Sequence, residues 1–404
     1  MDRRTFLKAI TLPALALSTT GCQKTQGDTL LGNNVLSLIA LRGSIPLQLP
    51  KQFKQDGGAT IDLRQVRQLQ DIFQQLQQWK RQSTGEVNAP KGIVSFPAPL
   101  IGPPAEATIA DLATTGDFWL TLAIRQQLLQ PMDIEKIPAW QTLDPKLKTF
   151  LTRNDLGELA SSSDGGRVWG IPYRLNSTVL LYRKDIFADR KLSLPTDWAD
   201  LWRSDLKGRI SLLDQPREVI GLTLKKLGKS YNTQDLATIP DLKTTLAQLH
   251  HNAKFYSSTH YLQPLTLEQT WLAMASSTDA LRVMRQNPKM AAVFPKSGSA
   301  LNADLWVQPA QPEKSDVSET RTATIAAWCD YTLNADRAPQ FSLLTQGISP
   351  SLDQNQNNAT PAELKSNPIL MPGARALNKS EFLQPQTEKT IQQWRSAWET
   401  MRND

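Results

Sequence analysis

Two cysteines and three histidines in 404 residues leave little material for a disulfide framework or a metal shell. His250 and His251 are adjacent, so a helix would point them in different directions, and neither cysteine lies near enough in sequence to complete a site. No metal and no cofactor are expected. The Gly-x-Ser-x-Gly signature of serine hydrolases is absent. Ser204-Asp205-Leu206-Lys207 fits Ser-x-x-Lys in spacing alone, in a polar turn without companion elements. Gly228-Lys229-Ser230 looks like the tail of a phosphate loop, but Gly221 lies too far upstream and the tripeptide ends a helix, whose carboxyl end repels phosphate. An enzyme is not expected. No apolar run reaches the roughly 20 residues a membrane-spanning helix needs. Basic residues are spread along the chain and form no stripe, so nucleic acid is not an expected partner.

What is present is the composition of a globular chain, 40% hydrophobic and 21% charged, long enough for two or three compact units. Val35 to Ala40 reads as a buried strand. Val66, Leu69, Ile72, Phe73, Leu76 and Trp79 recur at helical spacing and predict an amphipathic helix. Ala107–Ala113 reads as the next strand and Trp119–Leu129 as the next helix, with Pro97–Pro104 an exposed connection. Strands are expected at Thr178–Tyr182, Ile210–Leu213, Met290–Phe294 and Leu305–Val307. A helix over Glu218–Leu227 closes on Gly228, and a last helix starts near Thr387. This alternation predicts an α/β fold with a largely parallel sheet. Cys329, in Ile325-Ala326-Ala327-Trp328-Cys329, reads as a small buried hydrophobe.

The amino terminus reads as an address. Met1 to Cys22 combines a charged opening, an apolar stretch from Ala9 to Leu17 and small residues before a cysteine, the layout of an export signal. Arg3-Arg4-Thr5-Phe6-Leu7-Lys8 resembles the twin-arginine signal, and Thr19-Thr20-Gly21-Cys22 resembles the lipobox at which bacterial lipoproteins are cleaved and acylated. Residues 1–21 are therefore expected to be removed, Cys22 to carry lipid, and 22–33 to form a tether. The mature chain would sit in the periplasm, held to a membrane by lipid alone, with a net charge of about +5 that favours solubility and names no partner.

From Gly170 the sequence runs Gly-Ile-Pro-Tyr-Arg-Leu-Asn-Ser-Thr-Val-Leu-Leu-Tyr-Arg-Lys-Asp-Ile-Phe, then Pro195-Thr196-Asp197-Trp198-Ala199-Asp200-Leu201-Trp202 and Leu206-Lys207-Gly208-Arg209-Ile210. Leu213-Asp214-Gln215-Pro216-Arg217-Glu218-Val219 and Leu224 to Thr233 extend the pattern. It resembles the periplasmic spermidine/putrescine-binding proteins of ABC importers, among the extracellular solute-binding proteins. The resemblance implies a two-lobed periplasmic binding protein fold (type II), α/β with mixed sheets flanked by helices, and a hinge cleft. One lobe would comprise 34–175 and 303–346, the other 176–302 and 347–404. Chain crossings are expected near Leu175 to Ser177, Asn302 to Asp304 and Gly347 to Pro350.

The same resemblance implies a site. In polyamine binders, cleft carboxylates pair with ammonium groups while aromatic rings pack the methylene chain. Glu218 and Asp304 match such carboxylates, and Phe118, after Gly116 and Asp117, keeps an aromatic position. Leu41, Ser44, Gln215, Ser276, Asn302 and Ile348 stand where the family carries aromatic or acidic residues. Arg42 and Arg174 flank the cleft and could receive an anion bidentately. The expected ligand residues are thus Glu218, Asp304, Phe118, Gln215, Asp117, Arg42, Asn302 and Arg174. The implied function is capture of a small polar solute for an ABC permease. The alternative is a lipoprotein that kept the scaffold but serves as an interaction or assembly protein without a transport ligand.

Overall fold

The computed structural model describes residues 35–83, 108–312, 318–355 and 360–403. The signal, the lipid attachment at Cys22, the tether and the Pro97–Pro104 connection lie outside the described residues.

Val35–Leu41 runs parallel to Thr60–Val66 on one side and Leu112–Gly116 on the other. Thr60–Val66 is a strand that the helical spacing beginning at Val66 conceals. Its sequence, Thr-Ile-Asp-Leu-Arg-Gln-Val, alternates apolar and polar residues at the sheet edge, and the helix starts later, at Leu69–Ser83. The next strand also begins late. Leu112–Gly116 is buried throughout, and Asp117–Arg125 follows directly as a helix. That helix stops before Gln127, whose φ of 53° breaks the turn, and Leu129 pairs with Pro309.

Two long strands organise the molecule. Ile171–Arg183 pairs antiparallel with Ala300–Pro309 over its first residues, and with Leu272–Ser276 from Thr178 onward. Across the sheet the order is Thr60–Val66, Val35–Leu41, Leu112–Gly116, Ala300–Pro309, Ile171–Arg183, Leu272–Ser276, Ile210–Leu213, Ala253–Ser257. The outer pairs are parallel and the central ones antiparallel, so the sheet is mixed and not largely parallel. Long return strands through the middle impose this, because they bring the chain back without a crossover helix. A third passage adds a bridge, in which Leu175 and Ile348 exchange backbone hydrogen bonds of 2.7 and 2.9 Å.

Hydrophobic cores form on either side of this waist. On one side Leu36, Leu112, Ile171, Trp306, Trp328 and Phe341 pack together. On the other, one cluster holds Val179, Ala273 and Leu370, and another holds Leu180, Trp198, Leu212 and Met274. Odd and even residues of the Ile171–Arg183 strand thus feed different layers, as period-two geometry requires. Cys329 is fully buried in the first core, and burial pushes its thiol up. Trp79 is a core residue, as its helical spacing predicts, and Trp394 of the last helix is buried as well. Among the described residues no helix is long and apolar enough to cross a membrane.

Candidate functional site

The waist carries an unusual density of buried charge. Arg174 and Asp304 are direct neighbours across the antiparallel ladder, so their side chains leave the same face. Nε and Nη2 of Arg174 both donate to Oδ2 of Asp304, at 2.7 and 2.5 Å, and Nδ2 of Asn176 donates to the same oxygen at 2.9 Å. Nη1 of Arg174 donates to the Thr345 carbonyl at 2.9 Å. Gly347 makes this possible, since a Cβ there would overlap the Arg174 side-chain stem. Thr278 donates to Oδ1 of Asn176 at 2.8 Å, tying the pair to the start of the Ser277–Gln286 helix.

One step along the ladder lies the second carboxylate. Asn302 pairs with Asn176, and Glu218 accepts a hydrogen bond from the Thr178 hydroxyl at 2.8 Å. Glu218 occupies the first turn of the Pro216–Lys226 helix, whose fixed start comes from Pro216 at its first position. Burial raises its pKa, while Thr178, Asn302 and the Arg217 charge pull the other way. Repeating two residues along a strand spans about 6.6 Å, so the Asn176 and Thr178 side chains set the two carboxylates apart on one face.

Asp117 is the third. Gly116 pairs with Asp304, which brings Asp117 beside it at the start of the Asp117–Arg125 helix. Burial pushes its carboxyl up to about 7, against the Ala303 backbone N–H, and the Asp304 charge adds to the rise. Its Oδ2 is enclosed without a hydrogen-bond partner. Phe118 follows with 81% of its surface exposed, its ring edge-on to Trp119 at 5.5 Å.

The structure therefore gathers Asp117, Arg174, Asn302, Asp304 and Glu218 around one stretch of ladder. Gln215 is exposed at the preceding end of the Pro216–Lys226 helix, and Arg42 is exposed after the first strand, neither with a side-chain contact to the cluster among the described residues. The guanidinium of Arg174 is committed to Asp304 and Thr345, so it is not presented to an incoming anion. Asn176, Thr178 and Thr278 were missed by the sequence reading. Their signal was the alternation Arg174, Asn176, Thr178 along a crossing strand, which places polar groups on one face. Among the described residues no group of three or more His, Cys, Asp or Glu is placed to hold a metal ion.

The other face of the waist is different. Leu175, Leu301 and Ile348 floor a cavity of about 840 Å³ walled by Phe150 and Phe382. Ile348 thus lies with Leu175 on the side away from the carboxylates.

Residues 48–372 match the family described as bacterial extracellular solute-binding protein. The chain belongs to that family. Among curated relatives of this solute-binding protein, spermidine/putrescine-binding periplasmic protein 1 of Haemophilus influenzae is 23% identical over 272 residues, 67% of this chain and 69% of the relative. The putrescine-binding periplasmic protein PotF of Escherichia coli is 24% identical over 317 residues, 74% of this chain and 80% of its own. The crystal structure of the spermidine/putrescine ABC transporter substrate-binding protein PotD from Streptococcus pneumoniae superposes with a TM-score of 0.71 at 19% identity, covering 91% of this chain and 98% of its own. At that identity the likeness shows the fold, which is the two-lobed one the sequence implies. Nothing in these comparisons supports the alternative of an interaction protein without a transport ligand.

Proposed function

We propose that this solute-binding protein captures a small organic ammonium ion, of the polyamine class, between its lobes and hands it to an ABC permease unaltered. The observation that carries this reading is the convergence of Glu218, Asp304 and Asp117 on one face of the crossing strands, in surroundings dry enough to raise two of them. A desolvated ammonium needs anionic acceptors, and charge-assisted hydrogen bonds are the strong ones. The names of the relatives, which bind spermidine or putrescine, support the same class. Exposed Phe118 offers a face to methylene groups or a cation. Asn302 contributes by holding Glu218.

In this reading the lobes divide as 34–175 with 303–346, and 176–302 with 347–404, and they pivot about the three passages. Lipid on Cys22 keeps the protein at a membrane facing the periplasm. The test is calorimetry of the full-length protein against 1,4-diaminobutane, spermidine, amino acids and small anions, repeated with Glu218→Gln. Amines should bind and the anions should not. Glu218→Gln should weaken amine binding roughly 10- to 100-fold, the scale of one charged hydrogen bond. Unchanged affinity in Glu218→Gln would overturn the assignment.

A further inference from the structure

We infer that Arg174 is a built-in counter-ion that sets how many ammonium groups the cleft accepts, favouring a dication over a trication. The inference rests on the ammonium reading above and refines it.

Three carboxylates meet at the waist, but they are not equivalent. Oδ2 of Asp304 already receives three donors, two of them from one guanidinium, in a pair that is only 5% and 12% exposed at its side chains. The remaining guanidinium edge is held by the Thr345 carbonyl. A solute ammonium could take Asp304 only by displacing Arg174, and the displaced charge would be left buried with no other carboxylate in contact. Gly347 and the Leu175–Ile348 bridge fix the stem of Arg174, so it cannot swing out to water without parting the third passage.

Glu218 stands otherwise. Its contacts, Thr178 and Asn302, are neutral, and no cation forms an ion pair with it among the described residues. Asp117 likewise has no ion-pair partner there, and its Oδ2 lacks any donor. Two carboxylates therefore lack an ion-pair contact, with Arg217 acting on Glu218 and Arg153 on Asp117 only from beyond contact distance, while the third is already neutralised from within the protein. A solute with two ammonium groups balances that field once Asp117, whose enclosed carboxyl holds its proton up to about pH 7, gives it up as the incoming cation binds. A third ammonium would be desolvated without an anion to meet it.

The experiment is a titration of the full-length protein and three variants with 1,4-diaminobutane, spermidine and butylamine. The wild type should bind the diamine at least tenfold tighter than the triamine. Arg174→Met frees Asp304 and should shift the ratio at least tenfold toward spermidine. Arg174→Lys keeps a cation and should hold the wild-type order, which a merely structural role for Arg174 does not require. Arg174→Met combined with Asp304→Asn removes both charges and should return the diamine preference, so the inference stays testable should the single variant fail to fold. Spermidine binding the wild type as tightly as the diamine overturns the inference and leaves the ammonium reading standing. Heat from none of the three amines overturns the ammonium reading itself.

Discussion

The ring of Phe150 lies stacked on the ring of Phe382, centroids 4.8 Å apart and planes 19° from parallel. Phe150 belongs to the Pro145–Leu151 helix of the first core, and Phe382 pairs in register with Leu301, on the face of the waist away from Glu218. Any pivot that shuts the carboxylate side must draw these rings apart. An aromatic pair contributes about 0.5–1.5 kcal/mol beyond its buried area. Phe382→Ala should therefore raise solute affinity by roughly 2- to 10-fold, because closure no longer breaks the stack. Calorimetry with the diamine checks this, and weaker binding would refute it.

The carboxyl of Asp117 makes stability depend on pH in a direction opposite to an ordinary ion pair. Burial holds its pKa near 7, whereas in the unfolded chain an aspartate titrates near 4. Between those values the native state retains a proton that the unfolded chain has released, so stability falls as pH rises from about 4 to about 7 and then levels. The full effect is on the order of 4 kcal/mol. Asp117→Asn should flatten that decline, leaving the variant more stable than the wild type at pH 8 and similar at pH 4. Urea melts at both pH values measure it; parallel curves for the two proteins would count against it.

Much of the architecture could be read from the residues. The passages near Leu175 and Gly347 to Pro350 were expected from the family resemblance, and the residue-level cue beside it was Pro172, which fixes an extended entry to the first of them. The edge strand Thr60–Val66 was not legible, since its three apolar residues are spaced among polar ones and Val66 also fits the helical pattern that follows. At the site, the family resemblance pointed to Glu218, Asp304 and Asp117 as candidates, but pairing among such residues is a property of register. Arg174 therefore read as a free anion receptor, although the ladder sets it opposite Asp304 and uses up its donors.

Phe118 should separate binding from stability. The residue is 81% exposed, so Phe118→Ala removes little buried area and should leave the melting temperature within a degree or so of the wild type. Amine affinity should drop by roughly 2- to 30-fold, the scale of a cation–π contact. Affinity left intact would remove Phe118 from the cleft.

Cys22 can be tested without any ligand. Mass spectrometry of protein from membranes should find residues 1–21 removed and acyl mass on Cys22, and Cys22→Ser should move the protein to the soluble fraction. Retention of Cys22→Ser in membranes would refute the lipid anchor.

The register that sets Gly116 against Asp304 also has a meaning for the newly made chain. Leu112–Gly116 emerges long before Ala300–Pro309, so the first half of the molecule begins life with an open strand edge. Its sheet is completed by a segment synthesised after most of the other half, a distant pairing that slows folding. That edge stays open until the late strand arrives, a consequence of the order in which the ribosome delivers the two partners.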